Sequence, residues 1–138
     1  VTKWIDNFKL NDRIHFTGKI PGEKLLELYS QSQIAVSPSL YEGFGFPAAE
    51  AMSCELPLIS SDGGALPEVV GEHMKTGYVV KARDPFGLAT AIDYLMDNPE
   101  VREKMGKAAR KRIRQVFTWE NAAKEMVKVY REVIDAYR

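Results

Sequence analysis

The feature that most restricts the fold is an order of patterns. Short apolar runs alternate with segments of helical spacing, and three helical segments then follow with no strand between them. Parallel strands need crossover connections and helices supply them, so the alternation specifies a parallel sheet with helices against it. The apolar runs at 13–17, 33–37, 56–60 and 77–80 predict four strands. Between them the spacing predicts a helix over 23–31, with Leu25, Leu28 and Tyr29 on one face. Pro47 opens a second helix, because the first helical turn has no use for its missing N–H. A short third helix is expected over 65–70. In 86–97 the apolar positions Leu88, Ile92 and Leu95 keep helical spacing; Asn98 is the expected cap of the next helix, which Val101, Met105, Ala109 and Ile113 line. Thr118 is the expected cap of the last helix, where Met126, Val127, Tyr130, Ile134 and Tyr137 form a stripe whose simplest reading is core.

A chain of 15.6 kDa should fold to about 7,000 Å² of surface, enough burial to hold without a disulfide or metal. With 19 basic against 19 acidic residues, it lacks the basic surplus of a general nucleic-acid binder. A lone cysteine, Cys54, cannot form an internal disulfide, and two histidines with one cysteine make a poor metal set; a reducing, cytoplasmic setting is expected. No apolar run approaches the roughly 18 residues of a membrane span. Four strands are fewer than doubly wound nucleotide-binding folds usually carry. Together with a start at Val1, this suggests that residues 1–138 are one partial domain from a longer protein.

In open parallel sheets ligands sit at the carboxyl ends of the strands. Two Gly-containing loops, 37–46 and 60–64, fall there and both run into helices, whose free N–H groups suit phosphate or sugar oxygens. Gly43 and Gly45 would let a ligand approach the backbone, although glycines by themselves equally mark tight turns. Glu42 and Glu50 bracket the start of one helix, and a carboxylate can accept from two vicinal sugar hydroxyls. For Glu50 the plainer role is charge stabilisation of a helix N-terminus.

The run Glu42-Gly43-Phe44-Gly45-Phe46-Pro47-Ala48-Ala49-Glu50 resembles the paired-glutamate motif of retaining glycosyltransferases of the GT-B fold, family four (glycosyl transferases group 1). His15-Phe16-Thr17-Gly18, Leu28-Tyr29 and Val36-Ser37-Pro38-Ser39 are similar to that family's approach to the motif. Leu56-Pro57-Leu58-Ile59, Gly63-Gly64-Ala65-Leu66-Pro67-Glu68, Thr76-Gly77-Tyr78-Val79-Val80 and Asp84-Pro85 are similar to its exit. The resemblance covers about 13–97, in order. It implies the Rossmann-like C-terminal half of a GT-B enzyme, which holds a nucleotide-sugar donor and transfers the sugar to an acceptor hydroxyl. By resemblance Glu42, the catalytic candidate, contacts the donor sugar, and Glu50 contacts the ribose hydroxyls. Gly43, Phe44, Gly45 and Phe46 would lie against sugar and pyrophosphate, and Gly18, Lys19 and Ile20 against the base.

No cofactor or metal is expected. The saccharide or lipid-linked acceptor would meet an N-terminal domain, and the cations that neutralise pyrophosphate would lie upstream of Val1, so residues 1–138 alone are expected to be inactive. A sugar-nucleotide epimerase of the same fold and a non-catalytic nucleotide-sugar-binding module are the alternatives. The resembled family usually has glycine where this chain has Glu55, a residue unfavourable at a left-handed helix end, so a different local turn is expected there. In the resembled fold the last helix crosses toward the other domain, which would leave part of its stripe an interface. The segment 102–114 carries seven basic residues against one acidic. Its default reading is a solvated helix face, and the other is peripheral contact with anionic lipid at the inner face of the membrane. His15, His73 and Cys54 read as structural, and Glu68 as stabilising a helix start.

Overall fold

The computed structural model describes residues 2–137. Three parallel strands, β1 (Ala35–Ser37), β2 (Leu58–Ser61) and β3 (Tyr78–Val80), lie in the order β1-β2-β3. Ala35 pairs with Leu58, and Ile59 with Tyr78. Seven helices accompany them among the described residues: α1 (Thr2–Asn7), α2 (Gly22–Gln31), α3 (Phe46–Ser53), α4 (Leu66–Val70), α5 (Pro85–Asp97), α6 (Pro99–Val116) and α7 (Trp119–Ala136). This is the expected α/β class, with a sheet of three strands rather than about four.

Successive residues of a strand face opposite sides of the sheet, and β2, buried along its length, shows it. Leu58 packs with Ala48 and Met52 of α3, Leu66 and Val70 of α4, and Ala109 and Ile113 of α6. Ile59 packs on the other side with Ala91 and Leu95 of α5 and with Met105. Helix α6 therefore contributes to both cores. Asp84 caps α5, its Oδ1 accepting from the Gly87 N–H at 2.9 Å, and Thr118 caps α7 from the Asn121 N–H at 3.2 Å. Asn98 occupies the cap position of α6, but its side-chain amide donates to the Tyr94 carbonyl of α5 instead.

Three further expectations fail. Residues 13–17 form an exposed loop, not a strand, because among the described residues they have no strand to pair with. The stripe of α7 is not core: no residue of that helix is buried, and Tyr130, Ile134 and Tyr137 are more than half exposed. The accessible surface is correspondingly 10191 Å², well above the value expected for this mass. Third, the turn after α3 keeps its left-handed form. Glu55 sits at φ 63°, with the Leu56 N–H donating to the Ala51 carbonyl and the Glu55 N–H to the Met52 carbonyl, both at 3.1 Å. That pair of bonds is a Schellman ending. Gly106 of α6 lies so close that a Cβ there would collide with the Glu55 carbonyl oxygen.

Candidate functional site

The site begins where β1 ends. The chain leaves the sheet at Pro38 and runs to Gly45, the residue before α3, which adopts φ 94°. That conformation favours glycine, and a Cβ there would stand 2.7 Å from Leu66 Cδ2, so that side chain would have to shift. The inner side of this loop lies on the turn after β2. The Ala65 N–H donates to the Glu42 carbonyl at 2.9 Å, and the buried Ser61 hydroxyl donates to the Ser39 carbonyl. A Cβ at Gly63 would fall 2.6 Å from the Ser39 carbonyl oxygen, and one at Gly64 would strike the backbone of Glu42. The two glycine-containing loops are thus one packed unit at the carboxyl ends of β1 and β2. Gly43 differs from these three, because a Cβ there would meet nothing within 4 Å.

Glu42 is half-buried, and its Oε1 accepts from Ser39 Oγ at 2.8 Å. Glu50 is exposed, and the Tyr29 hydroxyl of α2 donates to its Oε2 over a long 3.5 Å. Burial pushes the Tyr29 hydroxyl above its ordinary value, and the Glu50 carboxylate adds to the effect. No acidic residue lies in the first turn of α3. The helix-end role for Glu50 therefore loses its geometry, since that stabilisation fades beyond the first turn.

A cavity of about 500 Å³ opens between α3 and the junction of α6 with α7, with Phe44, Phe46, Glu50, Phe117, Trp119 and Glu125 on its wall. Phe44 meets Phe117 edge-on, with ring centroids 5.4 Å apart. Phe46 is 70% exposed and Trp119 90%. Of the sequence-derived residues, this wall brings together Phe44, Phe46 and Glu50, while Glu42 stays outside it, tied to Ser39. Gly18, Lys19 and Ile20 lie in the loop before α2, with Gly18 at φ 61° and Lys19 exposed.

The remaining candidates have structural environments. His73 Nδ1 accepts from the Val79 N–H at 3.1 Å, and the ring stands edge-on to Tyr78. Burial pushes the half-buried Cys54 thiol up, Arg110 pulls the other way and Glu50 adds to the rise, so the thiol stays protonated at neutral pH. His15 is exposed in the loop 13–17, and Glu68 lies in the first turn of α4. Within 102–114, Arg102 donates to the Leu95 and Met96 carbonyls, and Arg112 to those of Glu68 and Val69. Lys107 pairs with Glu103 and Arg110 with Glu55. Lys104, Lys111 and Arg114 make no such contact among the described residues.

Sequence reasoning missed a clasp between the ends of β2 and β3. Asp62 Oδ1 accepts from the Ala82 N–H at 2.8 Å, and Oδ2 pairs with Lys81 Nζ at 2.9 Å. Lys81 and Arg83, with Pro38 and Leu40, line a cavity of about 210 Å³ beside it. Its signal in the sequence was an acidic residue two positions after one apolar run and a basic residue directly after the next. Among the described residues no group of three or more His, Cys, Asp or Glu side chains comes together as a metal site, and no helix is long and apolar enough to cross a membrane.

Comparison with known proteins places this geometry. The chain is 36% identical over 132 residues to the MMP alpha-(1->4)-mannosyltransferase of Mycolicibacterium hassiacum, covering 96% of this chain and 32% of that protein. It is 36% identical over 115 residues to a glycogen synthase of Mycobacterium tuberculosis, covering 83% of this chain and 28% of the relative. Among solved structures, the sucrose-phosphate synthase from Thermosynechococcus elongatus superposes with a TM-score of 0.87 at 36% identity, over 98% of this chain and 34% of the other. The C-terminal domain of a glycosyl transferase group 1 family protein from Francisella tularensis superposes at 0.77 with 26% identity, over 86% of this chain and 60% of the other. The chain thus spans about a third of the length of the curated relatives it matches. Its fold is that of a GT-B C-terminal domain. With the model of "Glycosyl transferases group 1" matching residues 1–112, the chain belongs to that glycosyltransferase family.

Proposed function

We propose that this chain binds the nucleotide-sugar donor of a retaining glycosyltransferase of family four, which moves a hexose from a nucleoside diphosphate to an acceptor hydroxyl. The observation that carries the reading is the packed double loop. It holds Glu42 by both carbonyl and carboxylate at the carboxyl end of β1, yet leaves the space around Gly43 open. Glu42 would take the sugar hydroxyls, and Glu50, on the face shared with Phe46, the ribose hydroxyls. The backbone of 43–46 would lie along the diphosphate, where the start of α3 favours negative charge. Gly18, Lys19 and Ile20 would meet the base. Catalysis in the whole enzyme would come from positioning and from stabilising the departing diphosphate, with no metal required. The name of the mannosyltransferase relative agrees with hexosyl transfer.

Calorimetric titration with UDP, GDP, ADP and their glucose and mannose conjugates tests the reading. Glu50→Ala is expected to weaken every nucleotide, and Glu42→Ala to remove only the extra affinity that the sugar supplies. Equal effects of both on bare nucleotide would refute these roles. A peripheral contact with anionic lipid, at the cytoplasmic face, is assigned to Lys104, Lys111 and Arg114 of α6. Loss of co-sedimentation with phosphatidylserine vesicles on their joint replacement by glutamate is the expected result.

A further inference from the structure

The Glu42 carboxylate is held through a relay of two serines. Ser61, 1% exposed in β2, donates its hydroxyl to the Ser39 carbonyl, and Ser39 in turn donates its own hydroxyl to Glu42 Oε1 at 2.8 Å. The backbone that carries the relay cannot drift. Gly63 backs directly against the Ser39 and Leu40 carbonyls, and the Ala65 N–H holds the Glu42 carbonyl at 2.9 Å.

We infer that Ser39 is a positioning residue for Glu42, with Ser61 fixing Ser39, so that one carboxylate oxygen is anchored and the other is presented to the donor sugar. The inference rests on the reading of Glu42 as the sugar contact. A glutamate side chain free in solvent must surrender its rotamers when it binds, and one already held by a hydrogen bond surrenders fewer. A carboxylate has acceptor sites to spare, so Oε1 can serve Ser39 while Oε2 stays available. Serine suits the anchor better than lysine or arginine would: a neutral donor orients the charge without cancelling it.

The test compares wild type, Ser39→Ala, Ser39→Thr, Glu42→Ala and the Ser39→Ala/Glu42→Ala pair in the 138-residue chain. UDP, GDP, ADP and their glucose and mannose conjugates are the ligands. The readout is the ratio of bare-nucleotide to nucleotide-sugar dissociation constants. Ser39→Ala is expected to reduce that ratio about 3- to 10-fold, the effect of one ordinary hydrogen bond, while leaving the bare-nucleotide constant unchanged. Ser39→Thr should restore the ratio, and Ser39→Ala should have no effect once Glu42 is alanine. Loss of the ratio in Glu42→Ala but not in Ser39→Ala overturns the inference and leaves the site reading standing. An unchanged ratio in Glu42→Ala overturns the site reading, and the inference with it. A ligand-independent arm measures the carbon-13 relaxation of the Glu42 side-chain methylenes. Ser39→Ala should increase their mobility, and equal mobility in both proteins overturns the inference whatever the ligands do.

Discussion

Replacing Glu55 by glycine should stabilise the chain, although it deletes an ion pair. Glu55 holds φ 63° in the Schellman ending of α3, a conformation that costs a residue with a Cβ about 1–2 kcal/mol. Glycine escapes that cost but gives up about 0.4–1 kcal/mol through its freer unfolded chain. The Arg110–Glu55 pair spans 3.2 Å with both side chains 45% exposed, so solvent leaves it only a few tenths of a kcal/mol, at the low end of exposed pairs. The net expectation for Glu55→Gly is a gain of about 0.5 kcal/mol, a rise of about 2 °C in Tm for a domain of this size. Glu55→Ala separates the terms, because it removes the pair and keeps the strained backbone; it should be neutral to slightly destabilising. Urea and thermal unfolding read both variants, with an unchanged m-value showing that the same surface unfolds. If Glu55→Gly is no more stable than Glu55→Ala, the left-handed backbone is not under strain and the reasoning fails.

Gly43→Ala should leave unfolding within about 0.5 kcal/mol of wild type, as the added methyl meets open space, yet weaken nucleotide-sugar binding at least tenfold by calorimetry. Ser60 has a fully buried hydroxyl with no hydrogen-bond partner among the described residues, so Ser60→Ala should raise stability by about 1 kcal/mol in urea unfolding. The Lys81 ammonium, followed by the Ala82 N–H, holds the Asp62 carboxyl below its ordinary value of 3.8. Its contribution is therefore complete above that pH and lost as the pH falls through the lower folded value. Wild-type Tm should accordingly fall more steeply below pH 3.8 than that of Asp62→Asn.

The central elements were legible because local chemistry and burial agree in them. The apolar runs at 56–60 and 77–80 became β2 and β3 with shifts of a residue or two, and Pro47 and Thr118 both stand at the helix starts that their chemistry favours. The glutamate pair was readable as a motif, whereas the environment of Glu42 was not. Ser39 is three residues away, but Ser61, Gly63 and Ala65 reach that loop only because β1 and β2 are neighbours. The turn at Glu55 misled for a related reason. Propensity opposes a left-handed glutamate, but two backbone bonds and the close seat of Gly106 outweigh a preference of 1–2 kcal/mol per residue.

The failures at 13–17 and in α7 share a cause. A hydrophobic period reports which face of a segment is apolar, and is silent about what meets that face. In β2 the neighbours are in the same chain, so period and burial coincide. Residues 13–17 have strand composition but, among the described residues, no ladder; the Arg13 and Ile14 N–H groups turn back to the Leu10 carbonyl, and without a neighbouring strand the run stays a solvated loop. The α7 stripe has ideal spacing, yet nothing among the described residues covers Tyr130, Ile134 and Tyr137, and Val36 on β1, at the margin of the sheet, is 41% exposed. These surfaces help raise the accessible area to 10191 Å², against about 7,000 Å² for a folded chain of this mass. Such large exposed side chains contribute little to stability. The folding energy of this chain is therefore concentrated in the two cores on either side of β2, the strand whose carboxyl end carries the relay to Glu42.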